Sequence, residues 1–223
     1  MARSFNGTTD ALNATIANVA PWTTGVMRGI SAWIKCTGTT GGICCSDNGT
    51  NRIMQFKEAT NKLNLIMFSG GTARSLTGAT SINTGAWLHV GGTYDSTTTT
   101  LTVYVNGVSD GTLVASASGN LGGRSMAIGA QIAGVTQQRF TGNICEVAIW
   151  TLRKPTTQDM QSLANGLPTA HLAPDMYFPV WGVDSPETNY GASQPQVNMA
   201  LTGTAQVSHA PVSPPVIAPL VYV

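Results

Sequence analysis

Charge is what this sequence has least of. Lys, Arg, Asp and Glu make up 9% of its 223 residues, against roughly 25% in an average soluble protein. The surface must therefore be polar through Ser, Thr, Asn and Gly. Eleven basic residues stand against ten acidic ones, for a net charge of +1. The basic residues are scattered singly, so no footprint for a phosphate backbone exists and nucleic acid is not expected as a partner. Near-zero net charge promotes self-association in a free protein, which favours a subunit of a larger assembly and a homo-oligomer within it. No segment approaches the roughly 18 apolar residues of a membrane span, so no membrane partner is expected. The first 20 residues hold no apolar stretch of signal-peptide length, and the chain reads as made and kept in a cytosol. The Asn-x-Thr sequons at Asn6, Asn13 and Asn48 are then chance in a Thr- and Asn-rich protein.

Cysteine is also sparse. Cys36, Cys44, Cys45 and Cys145 lack paired zinc-type spacing and read as buried thiols acting as small apolar residues. Cys36 and Cys44 could face each other across a hairpin, which leaves one disulfide open. No Gly-x-Ser-x-Gly elbow, phosphate loop or His-x-x-x-His pair occurs. The histidines, His89, His171 and His209, lie far apart along the chain, and they read as satisfied or solvated side chains.

What the chain does have is a series of short strand-like runs separated by Gly, Asn, Asp and Thr clusters, as sandwiches and barrels require. In "ISAWIKC" (30–36), Ile30, Ala32, Ile34 and Cys36 share one face and Trp33 takes the other. "GICCS", "RIMQFKE" and "KLNLIMFS" are further strands. In "WLHVGGTYD" (87–95), Trp87 and His89 face one way while Leu88 and Val90 face the other. After a turn at 95–100, Leu101, Val103 and Val105 share a face, with Thr102, Tyr104 and Asn106 behind them. Asn106-Gly107 supplies a positive-φ hairpin turn into "GTLVASAS". "SMAIGAQ", "GNICEVAIW", "HLAPDMYFPVWG" and a last strand in "VNMALTGTAQV" complete the series. One helix is expected after Pro155: Thr156 and Asp159 have capping-box spacing, and Met160, Leu163, Ala164 and Leu167 recur at helical spacing. It should cover the sandwich as a lid or edge. From Pro211 the sequence becomes "PVSPPVIAPLVYV", Pro-rich yet apolar, which reads as an extended arm. The expected organisation is one domain over 1–208 and an arm over 209–223.

The order of "SFNGTTD", "ISAWIK", "WLHVGGTYD", "YVNG", "FTGNICEVAIW" and "TTQDMQSLANG" resembles that of the laminin-G-like, concanavalin A-like jelly-roll family over most of the chain. The resemblance implies an all-β fold, an antiparallel β-sandwich with one short helix, and it makes Trp87 and Tyr104 packing residues. Residues 176–216 are similar to the closing segment of laminin-G-like proteins encoded by tailed bacteriophages. That likeness implies a virion protein, made in a host cytoplasm, most simply a capsid decoration or cement subunit. Its partners would be the major capsid protein or other virion subunits. The apolar arm would dock by strand addition, with Pro214, Pro215, Ile217, Leu220 and Tyr222 carrying the contact. An arm folded back along its own sandwich stays open.

The alternative is a carbohydrate-binding module on a fibre or capsid surface, meeting host surface glycans. Trp22, Trp181 and Tyr190 are the aromatics for stacking on sugar rings; core packing or an ordinary interface is the first explanation for each. Catalysis is not expected. Glycoside hydrolysis needs two carboxylates, and where related glucanases present Glu-x-Asp-x-x-Glu this chain has "CEVAIW", with Glu146 alone. By strict alternation Glu146 shares its face with Ile144, Ala148 and Trp150. Asp10, Asp47, Asp95, Asp110 and Asp175 fall singly in expected turns, and Asp184 and Glu187 flank Pro186 in a loop. No cofactor is expected. Calcium, which needs several oxygen ligands, stays open at "SDNGTN" (46–51), where an Asn-Gly turn is an equal explanation.

Overall fold

The computed structural model describes residues 1–16, 27–47, 52–69, 72–116, 124–131, 138–181, 186–192 and 197–212. The strands are β1 (Ala2–Asn6), β2 (Ala11–Thr15), β3 (Gly29–Cys36), β4 (Thr40–Asp47), β5 (Arg52–Ala59), β6 (Lys62–Ser69), β7 (Thr72–Ser81) and β8 (Leu88–Asp95). They continue with β9 (Thr100–Val105), β10 (Val108–Val114), β11 (Ser125–Ile128), β12 (Thr141–Trp150), β13 (Met176–Phe178), β14 (Ala200–Thr202) and β15 (Ala205–Val207). One α-helix, α1 (Thr157–Ala164), and one 3₁₀ turn, Thr169–Leu172, lie between β12 and β13.

Two antiparallel sheets form a sandwich. The first has the order β10-β9-β8-β3-β12-β1-β15, with β13 pairing the far half of β12; the second runs β14-β2-β11-β4-β5-β6-β7. Alternation places the core between them. Ile30, Ala32, Ile34 and Cys36 enter it with Leu88, Val90, Leu101, Val103 and Val105, facing Phe56, Leu63, Leu65 and Met67 of the second sheet. Trp33 and Trp87 lie on the outer face of the first sheet, as expected from their parity.

The β8–β9 hairpin pairs Asp95 with Thr100. The next turn uses left-handed Asn106 (φ 49°) and Gly107 (φ 77°), the geometry of a two-residue hairpin loop. Helix α1 packs against β8 and β10 on the outer face. Its capping box is complete: Thr156 Oγ1 accepts from Asp159 N at 3.1 Å, and Asp159 Oδ2 accepts from Thr156 N at 2.8 Å. Met160 and Leu163 bury with Tyr104, Ala148, Trp150 and Tyr177.

Three expectations are corrected. The last strand is two strands, β14 and β15, which join different sheets through β2 and β1. Ile144 belongs to the core rather than to the Glu146 face, because a bulge in β12 between Cys145 and Ala148 resets the alternation. Asp110 lies within β10, where its carboxylate accepts from Thr80 N at 3.0 Å, rather than in a turn. All four cysteines are buried and free, with Cys36 Sγ donating to Glu58 Oε2 at 3.0 Å. Trp22, Asn48, Asp184, most of the stretch 46–51, and the arm residues Pro214, Pro215, Ile217, Leu220 and Tyr222 lie outside the described residues.

Candidate functional site

A pocket of about 420 Å³ opens on the outer side of the first sheet, within the range of roughly 300–1,000 Å³ found for small-molecule sites. Glu146 and Tyr177 contribute to it from β12 and β13, Pro168, Ala170 and His171 from the 3₁₀ segment, and Trp181 and Tyr190 from the loops that follow. Met1, His209 and Val212 complete the lining.

The bulge gives the site its acid. Glu146 takes φ 56°, a conformation costly for a residue with a Cβ, and its N–H donates to Pro179 O at 3.0 Å. The side chain is 4% exposed. Tyr177 Oη donates to Glu146 Oε2 at 2.7 Å. His209 Nε2 stands 3.2 Å from Glu146 Oε1, an ion-pair separation. Burial pushes the Glu146 pKa up, but His209, Tyr177 and Thr169 around the carboxylate outweigh it and hold it below its ordinary value. Burial and the adjacent carboxylate push the Tyr177 phenol up, so that hydroxyl stays a donor.

The two exposed aromatics are held from behind. Trp181 is 42% exposed and Tyr190 54% exposed, and their rings lie 6.0 Å apart at 35°. Val180, at φ 57°, turns the chain immediately before Trp181. Trp181 N donates to Glu187 Oε1 at 3.0 Å, and Arg3 Nε of β1 donates to Glu187 Oε2 at 3.1 Å in a buried pair. Tyr190 N donates to Tyr177 O at 2.7 Å, while Asn189 Oδ1 accepts from Tyr177 N at 2.8 Å. The 3₁₀ segment is tied down in turn, because Leu172 O accepts from Trp150 Nε1 and Arg153 Nη2, both at 3.1 Å. Both aromatic rings are thus presented to solvent from a backbone held in place by hydrogen bonds.

Of the aromatics nominated from sequence, Trp181 and Tyr190 meet at this pocket. The histidines separate. His89 is buried against Trp33 with ring centroids 5.6 Å apart, whereas His171 and His209 converge beside Glu146. Sequence distance hid that convergence, since β15 returns the chain along β1 and residues 209–212 then cross the outer face. Ala210 packs there with Trp33 and Cys145, and Val212 joins them. Glu187, expected in a loop beside Asp184, is a buried partner of Arg3. Among the described lining residues Glu146 is the single carboxylate. No group of three or more His, Cys, Asp and Glu among the described residues is placed to hold a metal ion.

Several solved structures share the fold. A candidate carbohydrate-binding protein from Bacteroides ovatus is 18% identical with a TM-score of 0.66, covering 92% of this chain and 61% of its own. A heptameric SAP-like pentraxin from Limulus polyphemus is 20% identical, with a TM-score of 0.57 over 73% of this chain and 81% of its own. Domain 4 of an extracellular arabinanase from Geobacillus stearothermophilus, in complex with arabinotriose, is 19% identical, with a TM-score of 0.52 over 73% of this chain and 76% of its own. No curated protein matches the chain. Residues 6–159 match a laminin-G family described as the concanavalin A-like lectin/glucanases superfamily. By that match and by its two-sheet sandwich, the chain belongs to the concanavalin A-like lectin/glucanases superfamily.

Proposed function

We propose that this protein is a non-catalytic carbohydrate-binding module whose site is the Trp181–Tyr190 pocket. The carrying observation is the exposed aromatic pair at 6.0 Å beside a pocket lined by Glu146, His171 and His209. Sugar rings present an apolar face and a polar edge, and this arrangement offers a surface for each. Support comes also from the neighbours, one described as a candidate carbohydrate-binding protein and one holding arabinotriose. Hydrolysis would need a second carboxylate near the first, and Glu146 has none among the described lining residues. Calcium is not part of this reading, because it needs several oxygen ligands and Glu146 is the single carboxylate among the described lining residues.

The test is a glycan-array screen of the full chain with and without calcium. Binding to a defined subset, unchanged by a chelator, is expected; a blank array in both conditions would overturn the proposal. The capsid-decoration reading rests on the likeness of residues 176–216 to phage-encoded proteins and on an arm whose contact residues, Pro214, Pro215, Ile217, Leu220 and Tyr222, lie outside the described part of the chain, and no structural observation favours it. Its own test is copy number in purified particles. Copies matching the major shell subunit would support it, and absence from particles would end it.

A further inference from the structure

We propose that the pocket selects an N-acetylated amino sugar, whose acetamido N–H donates to Glu146 and whose methyl group seats against Pro168, Ala170 and Val212. The inference rests on the carbohydrate-binding reading and narrows it to a ligand class.

Two features of the lining lead there. The first is the unused capacity of Glu146. An ionised carboxylate presents about four lone-pair sites. Tyr177 Oη takes one by a hydrogen bond of 2.7 Å, and His209 Nε2 stands 3.2 Å from the other oxygen. Acceptor capacity remains on a carboxylate that lines the pocket, where a ligand N–H or O–H can meet it. The second feature is apolar. Pro168, Ala170 and Val212 line the same pocket without a polar side-chain atom among them.

A plain hexose uses its apolar matter on the ring face, which Trp181 and Tyr190 would take. Its remaining edges carry hydroxyls, and a hydroxyl pressed against Pro168, Ala170 or Val212 loses water with nothing in return. An acetamido group answers both features, since it places a donor and a methyl group side by side. A free amino sugar has the donor without the methyl, and a deoxy sugar has the methyl without an adjacent amide donor.

The experiment is calorimetric titration of the full chain with three matched oligomer series: N-acetylglucosamine, glucosamine and glucose, with the galactose-configured series run alongside. The N-acetylated oligomers should bind at least about tenfold tighter than either counterpart in one of the two configurations, a difference of about 1.4 kcal/mol. Glu146→Gln should lose most of that preference. Val212→Ser, which alters the apolar wall and leaves Glu146 untouched, should narrow the gap to glucose while preserving the gap between glucose and no ligand. Equal affinity for glucose and N-acetylglucosamine oligomers would overturn the inference and leave sugar binding standing. Tighter binding of the free amine would overturn it in favour of an ammonium group on Glu146. No heat with any series, together with a blank array, would remove the underlying reading as well.

Discussion

At position 146 a glutamate occupies backbone space usually left to glycine, with φ 56°, and the β-branched Val180, one residue before the exposed Trp181, does the same with φ 57°. Such conformations persist where the surroundings over-determine them, and they cluster at functional sites. Here the peptide N–H of Glu146 is held by Pro179 and its carboxylate by Tyr177. A different buried residue sets the response to acid. Burial lowers the His89 pKa to about 3, whereas an imidazole in an unfolded chain titrates near about 6.5. Between those values the unfolded state binds the extra proton, so stability falls as pH drops from about 6.5 towards 3, with a limiting slope of about 1.4 kcal/mol per pH unit. Glu146, held below its ordinary value, adds a loss in the same direction once pH falls through its folded pKa. Denaturant midpoints measured from pH 7 to 4 should show that slope, and His89→Phe, which keeps a ring against Trp33, should flatten it. An unchanged profile in the variant would assign the acid sensitivity elsewhere. Nothing in the sequence marked His89 as buried and unpartnered beyond its parity with Trp87.

Among the elements, the β9–β10 turn and helix α1 depend on each other. A Cβ added at Gly107 would lie 2.7 Å from Gln161 Cα, a backbone atom of the helix that cannot swing aside, and φ there is 77°. Gly107→Ala should therefore destabilise the fold by roughly 1–3 kcal/mol, seen as a lower thermal midpoint. A loss confined to a few tenths would mean that the helix moves freely over the sheet. Gly91 shows the same close packing, since its added Cβ would meet Met160 Sδ at 2.6 Å. The hairpin, its Asn-Gly turn and the capped helix were legible because each depends on local chemistry: positive φ at two adjacent residues, and reciprocal bonds across three. The bulge in β12 was not legible, since Glu146 is the one break in the apolar run of "NICEVAIW" and a single glutamate fits an ordinary alternating strand as well as a bulge. It moved Ile144 off the face expected from alternation. Strand β7 was not singled out either, because only Leu76 and Gly78 of its ten residues are buried and it carries no apolar alternation. The division of the final segment into β14 and β15 depends on pairing with two different N-terminal strands. That is a tertiary property without a local signal.

For the whole molecule, the family and the site occupy different parts of the chain. The family match spans residues 6–159, and of the ten residues lining the pocket only Glu146 falls inside it. The sandwich supplies a rigid outer face, and the segments after α1, with Met1, build the pocket upon it. Fold class was therefore legible from the ordered strand motifs, while the site was legible only in part. Trp181 and Tyr190 stood out as aromatics in polar loops, but their convergence with Glu146, His171 and His209 follows from how the last segment returns along β1. The central claim is that these two aromatics form a sugar-binding platform. The most direct measurement is the glycan-array profile of the double variant Trp181→Ala/Tyr190→Ala beside that of the unaltered protein, with thermal midpoints taken for both. The account predicts that every glycan signal is lost while the midpoint stays within a few degrees, because both residues are exposed at the surface rather than part of the core. Retained binding in a stably folded double variant would contradict it.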